Sequence, residues 1–279
     1  MAKLKGKRVL ITGGAHGIGR TMAGHFAKDG AVLILSDMDA AGLSKVAGEL
    51  SAKGATVHTY KVDISKKDQV DKMAADVIEK FGGLDILINN AGIGHNGEMV
   101  ETPIPTWEKL MAVDFWGTLY HVYAFLPSMI RAKSGHIVTV SSGQAFFRLP
   151  TWGPYSVVKL ALGAFSELLR IELRKFGIKV TTVYPFMIHT GFYKEIEGDT
   201  IGSKISMKLL PLYSMKAETV GKIVYKAVKK QKAVEMVSPI NALGFLTRSL
   251  PPVSNLVSHA ALMFLGKSKE HLLEDANLQ

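Results

Sequence analysis

Seven short runs of β-branched and aliphatic residues alternate along this chain with longer stretches of helical periodicity. That alternation constrains the fold more than any other feature. The runs fall at about 8–12, 31–36, 56–60, 84–88, 136–141, 178–184 and 233–237. They are nearly continuous in apolar character, as strands covered on both faces are. The intervening stretches, at about 17–28, 40–53, 66–81, 104–131, 155–176 and 217–230, read as helices. Asp29-Gly30, Gly54, Gly82-Gly83 and Gly177 serve as their stops, and Ser65 as an N-cap. Strand–helix–strand repetition implies right-handed crossovers and a parallel sheet with helices on both sides. The expectation is an α/β fold, one doubly wound domain, with ligands bound beyond the carboxyl ends of the strands.

Composition narrows the function classes. With 47% hydrophobic residues in 279, the chain supports a large core. It has no cysteine, which excludes disulfides, thiolate catalysis and cysteine-based zinc sites. The nine histidines show no paired ligand spacing, so no metal is expected. Net charge is +10, yet the lysines are dispersed apart from Lys229, Lys230 and Lys232, and nucleic-acid binding is not expected. The basic start is followed by too short an apolar run for a signal peptide, and no run of about 20 apolar residues spans a membrane.

Four turn motifs fall at successive strand ends. Thr12-Gly13-Gly14-Ala15-His16-Gly17-Ile18-Gly19 joins the first strand to the first helix. Bare backbone and a helix N-terminus there suit a pyrophosphate, although glycine also serves ordinary tight turns. Asp37 ends the second strand; its carboxylate can accept both ribose hydroxyls of the adenosine half of NAD and would repel the 2′-phosphate of NADP. Asp63-Ile64 follows the third strand, where an aspartate can bind an exocyclic amine of adenine. Asn89-Asn90-Ala91-Gly92 follows the fourth, its small residues admitting a cofactor close to the backbone.

Chemistry concentrates at Ser141-Ser142 and at Tyr155-Ser-Val-Val-Lys159. Residues four apart on a helix share a face, so the ammonium of Lys159 can reach the Tyr155 phenol. It is expected to lower the tyrosine pKa toward working pH, as a general base for an alcohol requires. A serine from the neighbouring strand end can hold the reacting oxygen. Taken alone, the spacing also fits a surface pair on a helix.

Together TGGAHGIG at 12–19, Asp37, Asp63, NNAG at 89–92, Ser142 and YSVVK at 155–159 resemble the short-chain dehydrogenase/reductase family, over about residues 5–237. The resemblance implies a Rossmann-like sheet of strand order 3-2-1-4-5-6-7. It assigns catalysis to Ser142, Tyr155 and Lys159, with Lys159 also binding the nicotinamide ribose. It implies cofactor contacts at Gly13, His16, Gly17, Ile18, Gly19, Asp37, Asp63, Ile64, Asn90, Ala91, Gly92, Pro185, Ile188 and Thr190. Two positions depart from the family pattern. Asp114 stands where an asparagine usually holds a water linking the lysine to solvent; its charge would favour the Lys159 ammonium and oppose a Tyr155 phenolate. Phe186 stands where glycine usually follows Pro185, either narrowing the substrate side or packing the core.

A flap over the substrate is expected at about 190–217, rich in Phe192, Tyr193, Ile196, Met207 and other apolar groups, with Phe146, Phe147, Leu149 and Trp152 completing an apolar pocket. Arg148 is a candidate for a substrate carboxylate. Residues 1–238 are read as the catalytic domain and 239–279 as an apolar extension packed on it, able to serve as a cap, a dimer contact or an interfacial patch. The glycine motif with His16, Phe125-Leu126-Pro127 and this tail resemble, more weakly, the branch acting on retinoids, steroids and other lipophilic alcohols. The expected protein is a cytoplasmic, NAD-dependent dehydrogenase of a hydrophobic secondary alcohol, working in the oxidative direction. A homodimer or homotetramer is expected, and the extension leaves peripheral membrane contact open beside a cap or a dimer contact. Its rivals are an NADP-dependent ketone reductase and a cofactor-binding protein without turnover.

Overall fold

The computed structural model describes residues 4–147, 149–189, 192, 196, 204–205, 208–209, 214–247 and 250–265. Seven parallel strands form the central sheet in the order β3-β2-β1-β4-β5-β6-β9. They are β1 Arg8–Thr12, β2 Val32–Asp37, β3 Val57–Lys61, β4 Ile86–Asn89, β5 Gly135–Val140, β6 Ile178–Tyr184 and β9 Val234–Met236. This is the expected order; the seventh strand becomes β9 because two short strands, β7 Ile188–His189 and β8 Met215–Lys216, pair separately before it.

Alternation along each strand divides the core. Val9, Ile11, Leu33, Leu35, Ile88 and Val183 face one side, against Met22 and Phe26 of α1 Gly17–Lys28 and Val220 and Val224 of the helix Ala217–Lys229. Leu10, Ile34, Leu87, Ile137 and Val180 face the other. There they meet Val70 and Val77 of the helix Lys67–Phe81, Val122 and Phe125 of Gly117–Ala132, and Leu169 of Gly153–Leu173. Each fully buried large side chain among these contributes about 1.5–3 kcal/mol, so the sheet is held rigidly and its carboxyl edge is a fixed platform.

Three local expectations need correction. The helix Lys67–Phe81 has Lys66 as its N-cap, without a side-chain bond. Ser65 does not cap it, because its hydroxyl donates instead to Asp63 Oδ1 at 2.7 Å. The stretch expected as one helix over 104–131 is Ile104–Leu110 and Gly117–Ala132 joined by a π-helical turn, Met111–Trp116. Such a turn re-aims side chains within a helix and often marks a functional site. Here it carries Asp114 inward to complete burial. Third, the helix begun at Tyr155 in the sequence reading starts earlier, at Gly153, and ends at Leu173 in a 3-10 turn.

Candidate active site

The carboxyl ends of β1 and β4 are tied together by one hydroxyl. Thr12 Oγ1 accepts the N–H groups of Asn90 and Ala91, each at 2.9 Å, and Asn90 Nδ2 returns a bond to the Thr12 carbonyl at 2.9 Å. Gly13 turns the chain at φ 67°, a left-handed conformation that side chains disfavour. A Cβ at Gly13 would lie 2.9 Å from Asn90 Nδ2, and one at Gly19 would run into the Gly13 carbonyl. The result is a side-chain-free cradle opening into α1 at Gly17, with Ile18 packed against the core beneath it. It fits a pyrophosphate.

Asp37 stands half-buried beside that cradle. Its Oδ2 accepts the Ala15 N–H and its Oδ1 the Asp39 N–H, both at 3.1 Å. His16 is exposed, and its Nε2 lies 2.6 Å from Asp39 Oδ2. Asp39 also caps the next helix through Gly42 N, and these two bonds hold its carboxyl below the ordinary range. Asp63 Oδ1 accepts both Ser65 N and Ser65 Oγ, which fixes the turn after β3. The neighbouring Ile64 is buried against Gly117. Asp37, Asp63, the glycine turn and residues 90–92 therefore line successive strand ends, as the sequence arranges them.

The second half of the site surrounds Tyr155. The two serines after β5 divide their work. Ser141 Oγ donates to the Lys159 carbonyl at 2.7 Å, anchoring the helix Gly153–Leu173. Ser142 Oγ accepts the Gln144 N–H at 3.2 Å and is the serine that acts on the Tyr155 hydroxyl, favouring its ionised form. Lys159 Nζ lies 5.4 Å from the Tyr155 ring centroid and 2.9 Å from Asp114 Oδ2. Asp114 Oδ1 accepts Ile93 N–H at 2.8 Å, so the carboxylate bridges the lysine and the loop after β4. Gly92 lies against this pair: a Cβ there would be 2.9 Å from Asp114 Oδ2 and 3.2 Å from Lys159 Nζ.

Tyr155 departs from the expected titration. Burial raises its pKa above the ordinary value, and Asp114 raises it further; together they outweigh the lowering by the Lys159 ammonium and by Ser142. The burial comes from Trp152, edge-on at 5.7 Å, and Phe192 at 5.8 Å, with Ile196 in the same apolar cluster. Burial opposes the charged form of Lys159, but Asp114 and Tyr155 overcome it and its pKa is raised. Burial likewise dominates at Asp114 and raises its carboxyl despite the lysine.

Pro185 and Ile188 close the site from the end of β6. The Pro185 carbonyl accepts Gly143 N–H at 2.6 Å, and Ile188 is buried in the short β7–β8 pair. Thr190, Arg148, Tyr193, Met207 and most of the expected flap lie outside the described residues. Sequence reasoning reads Asp39 as a helix cap, which it is, but gives no role to the Thr12 hydroxyl or to Thr151. Thr151 is buried with φ 67°, rare for a β-branched residue. It is held by Asn96 Nδ2 to its Oγ1 at 2.8 Å and by Gly97 N–H to its carbonyl at 2.7 Å. That strained residue couples the loop after β4 to the turn that launches Tyr155.

The short chain dehydrogenase family model matches residues 7–200. The chain belongs to the short-chain dehydrogenase family. It is 33% identical over 249 residues to human estradiol 17-beta-dehydrogenase 11, covering 88% of this chain and 80% of that protein. It is 35% identical over 255 residues to the probable oxidoreductase EphD of Mycobacterium tuberculosis, covering 87% of this chain but 43% of the relative's length. The chain thus spans less than half of that mycobacterial protein. A crystal structure of a short-chain dehydrogenase/reductase from Burkholderia phymatum in complex with NAD superposes with a TM-score of 0.84 at 25% identity, covering 90% of this chain and 96% of that one. The family takes NAD or NADP, and the glycine cradle with Asp37 and Asp63 fits such a dinucleotide.

Proposed function

We propose that this short-chain dehydrogenase oxidises a hydrophobic secondary alcohol with NAD. One observation carries the reading: Ser142, Tyr155 and Lys159 converge under an apolar cover of Trp152, Phe192 and Ile196. Gly13 to Gly19, with His16 and Ile18, would hold the pyrophosphate side of the cofactor. Asp37 would take the adenosine ribose, Asp63 and Ile64 the adenine, and Asn90, Ala91 and Gly92 the middle of the molecule. Lys159 would take the nicotinamide ribose, and Pro185, Ile188 and Thr190 the carboxamide end. When bound, oxidised nicotinamide supplies the hydride acceptor and a positive ring that favours phenolate nearby. Ser142 donates a hydrogen bond to the alcohol oxygen and fixes its distance from Tyr155. Tyr155 takes the hydroxyl proton as the carbon loses hydride. Lys159 stabilises the phenolate, and Asp114 keeps Lys159 charged at the expense of that phenolate.

Asp37 supports NAD rather than NADP, since backbone N–H groups hold both its oxygens and its charge would repel a 2′-phosphate. The lipophilic character follows from the Tyr155 cover and accords with a relative named for estradiol. Two surfaces extend the reading. Trp116, Tyr123, Leu168 and Ile171 are exposed on the helices flanking the site, which suits a homodimer or homotetramer. Leu243, Leu246, Leu256 and Met263 are exposed on the helices Pro239–Thr247 and Pro251–Leu265, which suits peripheral contact of a cytoplasmic enzyme with lipid. No helix among the described residues is long and apolar enough to cross a membrane.

A panel of hydrophobic secondary alcohols with NAD, followed by absorbance of the reduced cofactor, tests the activity. Turnover that falls at least about 1,000-fold in Tyr155→Phe supports the assignment. Full rate in that variant overturns it, and no turnover with intact NAD binding would favour the non-catalytic rival.

A further inference from the structure

The residue that departs from the family at the end of β6 is built into a stack that reaches the C-terminal extension. Phe186 packs on Gly143, the neighbour of Ser142: a Cβ at Gly143 would lie 2.6 Å from Phe186 Cδ2 and 2.7 Å from Asn241 Oδ1. The Phe186 ring lies 4.7 Å from that of Phe147. Phe147 in turn rests on Gly244 of the helix Pro239–Thr247, where a Cβ would fall 2.6–2.8 Å from three of its ring atoms. The same helix presents Phe245 edge-on to Phe146 at 5.2 Å, and Phe146 contacts Tyr184 at 4.6 Å.

Hydrogen bonds lock this stack to the catalytic serine. Asn241, wholly buried, donates its Nδ2–H to the Tyr184 carbonyl. The next carbonyl, Pro185, accepts Gly143 N–H. Two successive carbonyls at the end of β6 are thus gripped, one by the extension and one by the residue after Ser142. Phe147 and Phe186 themselves are only half-buried, so aromatic surface remains uncovered beside the serine.

We propose that the helix Pro239–Thr247 determines substrate specificity. Through the contact of Gly244 with Phe147, and of Phe147 with Phe186, it sets a wall that limits the substituent a secondary alcohol can place beside Ser142. Two small residues make the arrangement fit: Gly143 leaves room for Phe186, and Gly244 leaves room for Phe147. An interior this closely packed does not absorb an added methyl without moving a ring. The inference rests on the oxidoreductase reading above and adds to it which substituents are admitted.

The test compares an aliphatic methyl carbinol with its propyl carbinol isomer as substrates. Phe186→Gly removes the wall, and the kcat/KM ratio is expected to move at least about 10-fold toward the bulkier isomer. Gly244→Val displaces Phe147 and is expected to change the same ratio while the Kd for NAD stays constant. In the double variant the Gly244→Val effect should vanish, because the ring it acts through is gone. An unchanged ratio in either single variant, or an undiminished Gly244→Val effect in the Phe186→Gly background, overturns the proposal. A readout without turnover separates this from the activity reading. Amide exchange over residues 142–147 should quicken in Gly244→Val, and unchanged exchange overturns the coupling whatever the enzyme turns over.

Discussion

Asp114 Oδ2 stands 2.9 Å from Lys159 Nζ with both side chains buried, and the same carboxylate receives the Ile93 N–H through its other oxygen. The pair puts a buried negative charge beside Lys159 and Tyr155, the residues of the proposed proton relay. Its field raises Tyr155, adding to what burial does.

Asp114→Asn should therefore lower the Tyr155 pKa. The acid limb of the kcat/KM profile for alcohol oxidation is expected to move to lower pH. Asparagine retains an acceptor for Ile93 N–H, so the fold should persist. Asp114→Ala leaves a buried ammonium without its partner and should cost about 3–5 kcal/mol of stability. pH–rate profiles of wild type and Asp114→Asn decide the matter. A limb that stays in place while Tm falls would mean that Asp114 is structural only.

The proposed preference for NAD rests on the charge of Asp37 and on the backbone N–H groups that hold it. Asp37→Ser removes the repulsion toward a 2′-phosphate and the acceptor for two ribose hydroxyls. NAD binding should weaken about 10- to 100-fold, the worth of a charge-assisted hydrogen-bond pair. The preference for NAD over NADP should shrink with it. Fluorescence titration with both dinucleotides measures the two Kd values, and an unchanged ratio refutes the role.

How much of this was legible in the residues depends on what each feature needs. Strand order follows from apolar runs and crossovers, and the helix Gly17–Lys28 is bounded by signals that lie in the chain itself. The π turn over Met111–Trp116 has no such signal, because the apolar periodicity on either side is undisturbed. Yet it is this turn that buries Asp114. The division of labour between Ser141 and Ser142 followed from family resemblance, and the structure supplies its physical reason in the Lys159 carbonyl. Charge spacing alone predicts a lowered Tyr155 pKa, because that spacing is local in sequence whereas burial by Phe192 and Trp152 is not.

Asp85 anchors the amino end of the sheet, away from the catalytic edge. It accepts Arg8 N and Arg8 Nε through Oδ2, at 2.9 and 2.7 Å, and Lys7 Nζ through Oδ1 at 2.9 Å. Burial works against its ionisation, but the Arg8 and Lys7 bonds prevail and hold its pKa at about 2. A carboxylate depressed in the folded state stabilises above its unfolded pKa of about 4, and that stability is lost as pH falls toward about 2. Asp85→Asn should cost about 2 kcal/mol at neutral pH and leave kcat/KM unchanged. Denaturant midpoints at neutral and acid pH check it, since the variant should match wild type at the acid end.

Two histidines give a separate pH window. His121 is wholly buried, its Nδ1 bonded to the Gly117 carbonyl at 2.7 Å, and burial pushes its pKa down to about 4. His136 is pushed to about 4 chiefly by burial and then by Lys179, with its Nε2 2.7 Å from Thr181 Oγ1. Unfolded, each takes a proton near pH 6.5, whereas folded it does so only near about pH 4. Between those values the unfolded chain binds more protons, so stability must fall as pH drops through the window. Each histidine accounts for a loss of about 3 kcal/mol across it. His121→Leu removes one of the two large contributions, beside the smaller one of His25, and should lower the slope of unfolding free energy against pH, at a small cost at neutral pH from the lost Gly117 bond. Urea unfolding at steps across the window measures that slope. A wild-type stability that stays level there would mean that neither histidine is held neutral by the fold.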